Sequence, residues 1–178
     1  MTTKIMTPYA RCSWVFVHGE GNPNAEGESK YGMTLMLPKN KEALASLGLN
    51  PAQRDTVLSN VRKFVKDFTA SCAEIAKAKF GGSYTSSRWN PIIDGDDKTE
   101  TFPGNKDFWL LRTKTKFQPR IARAKSSEGY IPDGDEDTKD GFYSGAWARA
   151  YITPFAYQVN GNKGVALGLG GIQKVYND

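Results

Sequence analysis

The chain has 178 residues, of which 24% are charged and 12% aromatic, and its formal net charge is +5. This length suits a single domain over residues 1–178, and the composition excludes an intrinsically disordered chain. The sequence shows neither a signal peptide nor a membrane-spanning stretch, so a soluble protein of a reducing compartment that contacts no membrane is expected. The basic excess is weak evidence for a polyanionic partner.

Residues that could carry catalysis or bind a metal are scarce. Cys12 and Cys72 match no metal or redox spacing and are expected to be buried, reduced thiols. His18 is the only histidine, which excludes sites built from several histidines. The acidic stretch at 94–97 is typical of a turn, and no phosphate-binding loop motif occurs. The sequence therefore predicts no enzyme activity, no cofactor and no metal.

The first half of the chain predicts two strands and then one long helix. β-Branched and aromatic residues favour a strand over 10–18, and alternation favours a second over 31–37. Asn50 can cap a helix with Pro51 at its first position, and the glycines at 81–82 stop it. Its apolar stripe contains Val57, Val61, Phe64, Val65, Phe68, Cys72 and Ile75.

The second half predicts three more strands, over 108–117, 143–157 and 164–176. The first of these resumes at Ile121, and an Asn-Gly turn at 160–161 joins the last two. No alternation of strands and helices occurs, which argues against a parallel sheet. A mainly β fold with one long helix is therefore expected, as a five-stranded OB-fold barrel whose helix lies between strands two and three.

The predicted strand over 108–117 carries its charges on one face, and all of them are positive. Further basic residues follow directly downstream. The residues concerned are Arg112, Lys114, Lys116, Arg120 and Arg123. Like charges in a row repel one another, and a bound phosphate backbone would neutralise them. The alternative is an outer face in contact with water only.

The predicted strand over 143–157 places aromatic residues and an arginine on one face and small residues on the other. The aromatic face contains Tyr143, Trp147, Arg149, Tyr151 and Phe155. Two interpretations stay open. In one, the rings fill the core and Arg149 lies near the barrel end. In the other, the rings form a platform on which bases stack, worth about 1–3 kcal/mol per base.

Two segments outside the predicted strands also bear on function. Arg88 and Trp89 form an aromatic–basic pair that either clamps a nucleic acid strand or fills the core. Residues 126–141 form an acidic loop of net charge −5. The loop is expected to be solvated, and the alternative is that it covers the basic strand when no nucleic acid is bound. The spacing of its aspartates does not match a calcium-binding loop.

The C-terminal residues carry a family resemblance. Residues 144–157 begin with small residues and end in a Pro-aromatic-X-aromatic step, and a polar turn over 160–164 leads into the apolar residues 165–169. This hairpin, together with the order of the predicted elements, resembles the bacteriophage OB-fold single-stranded DNA-binding proteins. The resemblance implies that Phe155 and Tyr157, the aromatic residues after the proline, stack on DNA bases.

The same resemblance implies a protein that coats and protects single-stranded DNA, without sequence specificity, in phage replication, recombination or repair. Its location would be the cytoplasm of the infected bacterial host. Phage replication or recombination proteins as partners, and self-association, stay open. The alternative function is a virion structural or assembly β-barrel, whose aromatic face would make subunit contacts.

One expected feature of that family does not match. Its members usually end in an acidic tail with a terminal aromatic residue, which contacts partner replication proteins. This sequence stops at Tyr176-Asn177-Asp178. A truncated chain, or an acidic loop at 126–141 that takes over part of the role, would each account for the difference.

Overall fold

A computed structural model describes residues 3–27, 29–81, 90–123 and 142–176. Over these residues the chain is mainly β, with eight strands in one sheet and one long helix. The strands are β1 (Ile5–Met6), β2 (Ala10–Phe16), β3 (Tyr31–Pro38), β4 (Ile92–Asp94), β5 (Phe108–Thr115), β6 (Ile121–Arg123), β7 (Trp147–Val159) and β8 (Asn162–Tyr176). The helix α1 covers Pro51–Phe80 and follows β3 in the chain.

The prediction of a mainly β chain with one long helix is confirmed, and the sheet contains eight strands, among them the five that were predicted. The five long strands were predicted, and β6 was predicted as a continuation of β5, whereas β1 and β4 were not predicted. Both are two or three residues long and exist because they pair with distant strands: Ile5 pairs with Ile152, and Ile92 pairs with Leu111. Such short segments carry no periodicity of their own.

The strand pairings run in a circuit. Strand β2 pairs with β3 and β7, β3 pairs with β5, and β5 pairs in parallel with β8. Antiparallel pairing of β7 with β8 joins the two ends of this path. Every strand of the circuit contributes to one buried cluster, to which the helix adds its own apolar face. Its members include Cys12, Leu35, Leu111, Ile152, Leu167, Val61, Phe68 and Cys72.

Local sequence signals fix the ends of the helix and of the C-terminal hairpin. The Asn50 side chain accepts a hydrogen bond from the Gln53 amide (2.8 Å), and the Gln53 side chain accepts one from the Asn50 amide (2.9 Å). This capping box begins α1, as predicted. Asn160 and Gly161 both have positive φ, 51° and 81°, which a tight hairpin turn between β7 and β8 requires.

The turn predicted at 94–97 is confirmed, and it forms an ion-paired corner. Asp94 caps the short 3-10 helix Gly95–Lys98, and its carboxylate accepts a hydrogen bond from the Asp96 amide (2.9 Å). Lys39, just after β3, forms salt bridges with Asp94 and with Asp96 (2.7 Å to the latter). These bridges connect the end of β3 to the turn that follows β4.

Both cysteines are buried free thiols. Burial raises the pKa of Cys12 and of Cys72 to about 12, so both are protonated at neutral pH. Over the described part of the chain, no helix is both long enough and apolar enough to cross a membrane.

Candidate nucleic-acid interface

The basic residues of β5 point to solvent. Arg112 and Lys114 are exposed, while Leu111 and Thr113 on the opposite face are buried. The Thr113 hydroxyl donates a hydrogen bond to the Met33 carbonyl (2.7 Å), which holds this inner face against β3. The charges therefore lie on the outer face of the sheet, where a ligand can reach them.

The outer face of β5 is covered at one end and open at the other. Phe108 and Leu110 share the face of Arg112 but are buried in a second apolar cluster with Met36, Leu44 and Leu58. Beyond Leu110 this cover ends, and the side chains are exposed. Lys116 and Arg120, after the end of the strand, are exposed as well.

A groove of about 420 Å³ opens on the outer side of β2, β3 and β5. Its floor and walls combine cationic, aromatic and main-chain surface. Residues from the loop between β2 and β3 and from the segment before β5 complete it. Its lining includes Trp14, Phe16, Lys30, Tyr31, Gly32, Phe102, Arg112 and Lys114. A groove with cations beside open rings can hold phosphates and bases at the same time.

Two aromatic rings at this groove were not predicted as site residues. Trp14 is 59% exposed and Phe102 is 41% exposed, and their ring centroids lie 6.0 Å apart in an edge-to-face arrangement. Strict alternation in β2 would have placed Trp14 inward with the buried Cys12. Phe102 precedes a Pro-Gly step outside any strand, so no periodic pattern marks it.

Of the two interpretations of the aromatic face, base stacking is wrong for Trp147 and the core interpretation is right. Its side chain is fully buried, and its ring lies 6.3 Å from that of Phe108 in the second apolar cluster. The cluster covers the first part of β7 just as it covers the first part of β5. Trp147 is therefore a core residue, and the rings of β7 become accessible only further along the strand.

Arg149 lies away from the groove of Arg112 and Lys114. Its Nε donates a hydrogen bond to the Gln173 side chain (2.6 Å), and its guanidinium lies 5.7 Å from the centre of the Tyr9 ring. It lines a separate cavity of about 480 Å³ between the segment around β1 and the helix. The structure thus does not bring Arg149 together with the basic residues of β5.

The later rings of β7 are accessible. Tyr151 is 44% exposed and Phe155 is 38% exposed, while Tyr157 is half-buried against Gly164 of β8. A row of directly paired residues joins this region to the basic strand: Gly32 with Lys114, Lys114 with Gly168, and Gly168 with Thr153. Since Thr153 lies between the two exposed rings, both are on the outer surface that carries Lys114.

Some predicted residues fall outside the described part of the chain. These are Arg88, Trp89 and the acidic loop at 126–141. The backbone of Arg123 belongs to β6, and its side chain is not among those that the structure describes.

The single histidine is bound to the protein itself. Its Nε2 lies 2.7 Å from the Phe142 carbonyl and donates to it, and the imidazole is buried. Among the residues described, no three or more His, Cys, Asp or Glu side chains are placed to hold a metal ion. The accessible surface of the groove offers basic, aromatic and hydroxyl groups, which suit binding of a polyanion.

Comparison with solved structures gives close matches in fold. The single-stranded DNA-binding protein of bacteriophage Enc34 in complex with ssDNA has a TM-score of 0.70 and 19% sequence identity, covering 98% of this chain and 87% of that chain. Its C-terminal truncation has a TM-score of 0.69 and 19% identity over 98% and 86% of the two chains. A further structure of the Enc34 protein has a TM-score of 0.67 and 18% identity over 96% and 79%.

Sequence comparison identifies the family. No curated protein sequence matches the chain. A family model described as Enterobacter phage Enc34, ssDNA-binding protein, matches residues 3–178. Since this match spans almost the whole chain, the protein belongs to the family of the Enterobacter phage Enc34 ssDNA-binding protein.

Proposed function

We propose that the protein binds single-stranded DNA without sequence specificity, in the groove on the outer face of β2, β3 and β5. The observation that carries the proposal is the exposed pair Arg112 and Lys114 beside open aromatic rings. Cations neutralise phosphates, and rings stack on any base. Membership of the Enc34 family supports the same ligand and favours it over a virion structural role.

The proposal extends to the architecture. The circuit of β2, β3, β5, β7 and β8 is a five-stranded OB-fold barrel, with α1 between its second and third strands. The closed pairing order and the parallel β5–β8 contact support it. OB-folds bind oligonucleotides on the face of their second and third strands. In this chain these strands are β3 and β5, which line the groove.

The basic residues and the exposed rings have different roles in this proposal. Phosphates lie along Arg112, Lys114, Lys116 and Arg120, and bases stack on the exposed rings of Tyr151 and Phe155 and on the edge of Tyr157. The paired row from Lys114 to Thr153 supports a continuous path between the two groups. Contacts by Arg88, Trp89 and Arg123 stay predictions.

The biological role proposed is to coat and protect single-stranded DNA during phage replication, recombination or repair. It acts by binding, without a catalytic step, in the cytoplasm of the infected bacterial host. The family and the chemistry of the groove support this role. Coating requires affinity for any sequence, which stacking and phosphate contacts supply together.

Salt titration with labelled oligo-dT tests the proposal. Binding measured by fluorescence anisotropy should weaken steeply with salt. A plot of the logarithm of the binding constant against the logarithm of the salt concentration should fall with a slope of about 0.7 for each phosphate neutralised. Arg112→Gln and Lys114→Gln should each weaken binding and reduce that slope. Lys66→Gln, on the exposed side of α1, is the matched control and should leave both unchanged. No anisotropy change at low salt would disprove the proposal.

A further inference from the structure

A bulge in β2 turns Trp14 away from the core. The register between β2 and β3 shifts between Ser13 and Phe16, and Trp14 has a φ of 50°. This left-handed conformation is unfavourable for any residue with a Cβ, and most of all for a bulky one. The result is a large ring that is 59% exposed, although inward packing would bury it. A strained backbone and an exposed indole therefore occur together at Trp14.

The bulge is held in place by the segment that precedes β7. The Val15 amide lies within the register shift and donates a hydrogen bond to the Ser144 hydroxyl oxygen (3.1 Å). Just before the register shift, the Cys12 amide donates to the Ala146 carbonyl (2.8 Å), and the Gly145 amide donates to the Cys12 carbonyl (2.7 Å). The position of Trp14 is thus fixed by specific contacts.

The exposed indole is braced and lies in cationic surroundings. The Phe102 ring meets it edge-to-face at an interplanar angle of 88°, so this contact covers only part of the indole. Lys30, Arg112 and Lys114 line the same groove. An open indole beside several cations fits a base whose flanking phosphates contact those cations.

We propose that Trp14, braced by Phe102 and positioned by Ser144, is the principal base-stacking residue of the groove. This inference rests on the proposed function and names the residue that makes the main contact with a DNA base. Trp14 touches the base, whereas Ser144 acts through the bulge and is a positioning residue. Strained backbone concentrates at ligand sites, where the surrounding structure holds it for function. Stacking on one indole discriminates little between bases, as a coating protein requires.

Substitutions at position 14 separate strain from binding. Trp14→Gly and Trp14→Ala should each lower the affinity for oligo-dT by about 10- to 100-fold. Trp14→Gly should unfold at a higher urea concentration than Trp14→Ala, because glycine accepts positive φ without strain. Trp14→Phe should retain most of the affinity and lose most of the tryptophan quenching that oligo-dT causes. Trp109→Phe, a half-buried tryptophan outside the groove, should keep both the affinity and the quenching.

A double-mutant cycle tests the role of Ser144. Ser144→Ala should weaken binding in the native background and have little further effect in the Trp14→Gly background, because it acts through the indole. Ser144→Thr keeps the hydroxyl group and should bind oligo-dT with nearly the native affinity, unlike Ser144→Ala. An equal loss from Ser144→Ala in both backgrounds would contradict the positioning role.

The outcomes distinguish a failure of the stacking role of Trp14 from a failure of the proposed DNA-binding function. If Arg112→Gln weakens binding while Trp14→Gly stays within twofold of the native protein, the groove binds DNA and the stacking role of Trp14 is wrong. If the native protein does not bind oligo-dT at low salt, both fail. Should Trp14→Gly not fold, undiminished quenching in Trp14→Phe overturns the inference by itself.

Discussion

Trp147 and Tyr151 are four residues apart on β7 but differ in environment. Trp147 is fully buried against Phe108 and its neighbours, whereas Tyr151 is 44% exposed. We expect Trp147→Ala to lower the free energy of unfolding by about 3–5 kcal/mol, because it removes a large core side chain. Urea denaturation followed by far-UV circular dichroism measures this change.

The same pair gives a reciprocal control for binding. Tyr151→Ala should cost less than about 1 kcal/mol of stability, as is usual for exposed sites. It should weaken oligo-dT binding, whereas folded Trp147→Ala should bind normally. A loss of affinity in folded Trp147→Ala, without a loss in Tyr151→Ala, would contradict these assignments.

Two tryptophans show what alternation can and cannot predict. Alternation correctly separates the faces of β5, where Arg112 and Lys114 are exposed and Leu111 is buried. It fails at Trp14, because a bulge adds one residue to β2 and the alternation of inward and outward side chains does not continue through it. It fails at Trp147, because the outer face of the sheet is partly covered by an apolar cluster from elsewhere in the chain. Both failures come from contacts that a single strand's pattern does not encode.

At the scale of elements, the corner formed by Lys39, Asp94 and Asp96 makes stability depend on pH. The Lys39 side chain and the Asp107 amide (2.8 Å) both bond to Asp96 and lower the pKa of its carboxyl below 3.8. Below pH 3.8 the unfolded state binds the proton more readily than the folded state does. The contribution of Asp96 is therefore complete above that pH and is lost as the pH falls through the folded-state pKa.

Asp96→Asn tests this dependence. The free energy of unfolding, measured by urea denaturation at several pH values, should decline less steeply in acid for Asp96→Asn than for the native protein. Asp97→Asn changes a neighbouring carboxylate, and the salt bridges of Lys39 among the described residues are to Asp94 and Asp96, so this variant should retain the native slope. Equal slopes in Asp96→Asn and the native protein would contradict the assignment.

Elements with local signals are predictable from the sequence, and those without them are not. The capping box at Asn50 and the Asn160-Gly161 turn follow from residue chemistry within a few positions. Strand β4 has no such signal. It consists of three residues that pair with Leu111, Leu110 and Trp109 of β5. Its existence depends on a partner that comes later in the chain.

At the scale of the whole molecule, the two buried thiols report on global unfolding. Because their pKa values are about 12 and neither is accessible, a thiol reagent should modify them only when the chain opens. Oligo-dT at 100 times its dissociation constant should slow this modification about 100-fold, since a ligand of the folded state stabilises it by mass action.

Mass spectrometry after timed exposure to the reagent measures this rate. Cys72→Ala isolates Cys12, which lies in the strand that carries the bulge. Rapid modification of Cys12 in the native protein would show that β2 opens locally, and it would contradict the prediction. A rate that oligo-dT does not change would indicate that the ligand binds elsewhere or not at all.

The circuit of strands also constrains synthesis of the protein. Ala10 pairs with Ala148, and β5 pairs with β8, so strands from the first two thirds of the chain receive partners from its last quarter. Until that part leaves the ribosome, β2 and β5 present unpaired edges that can join other chains. Such distant pairing slows folding. We therefore expect co-translational folding to be late, and a chain that ends before β7 to aggregate.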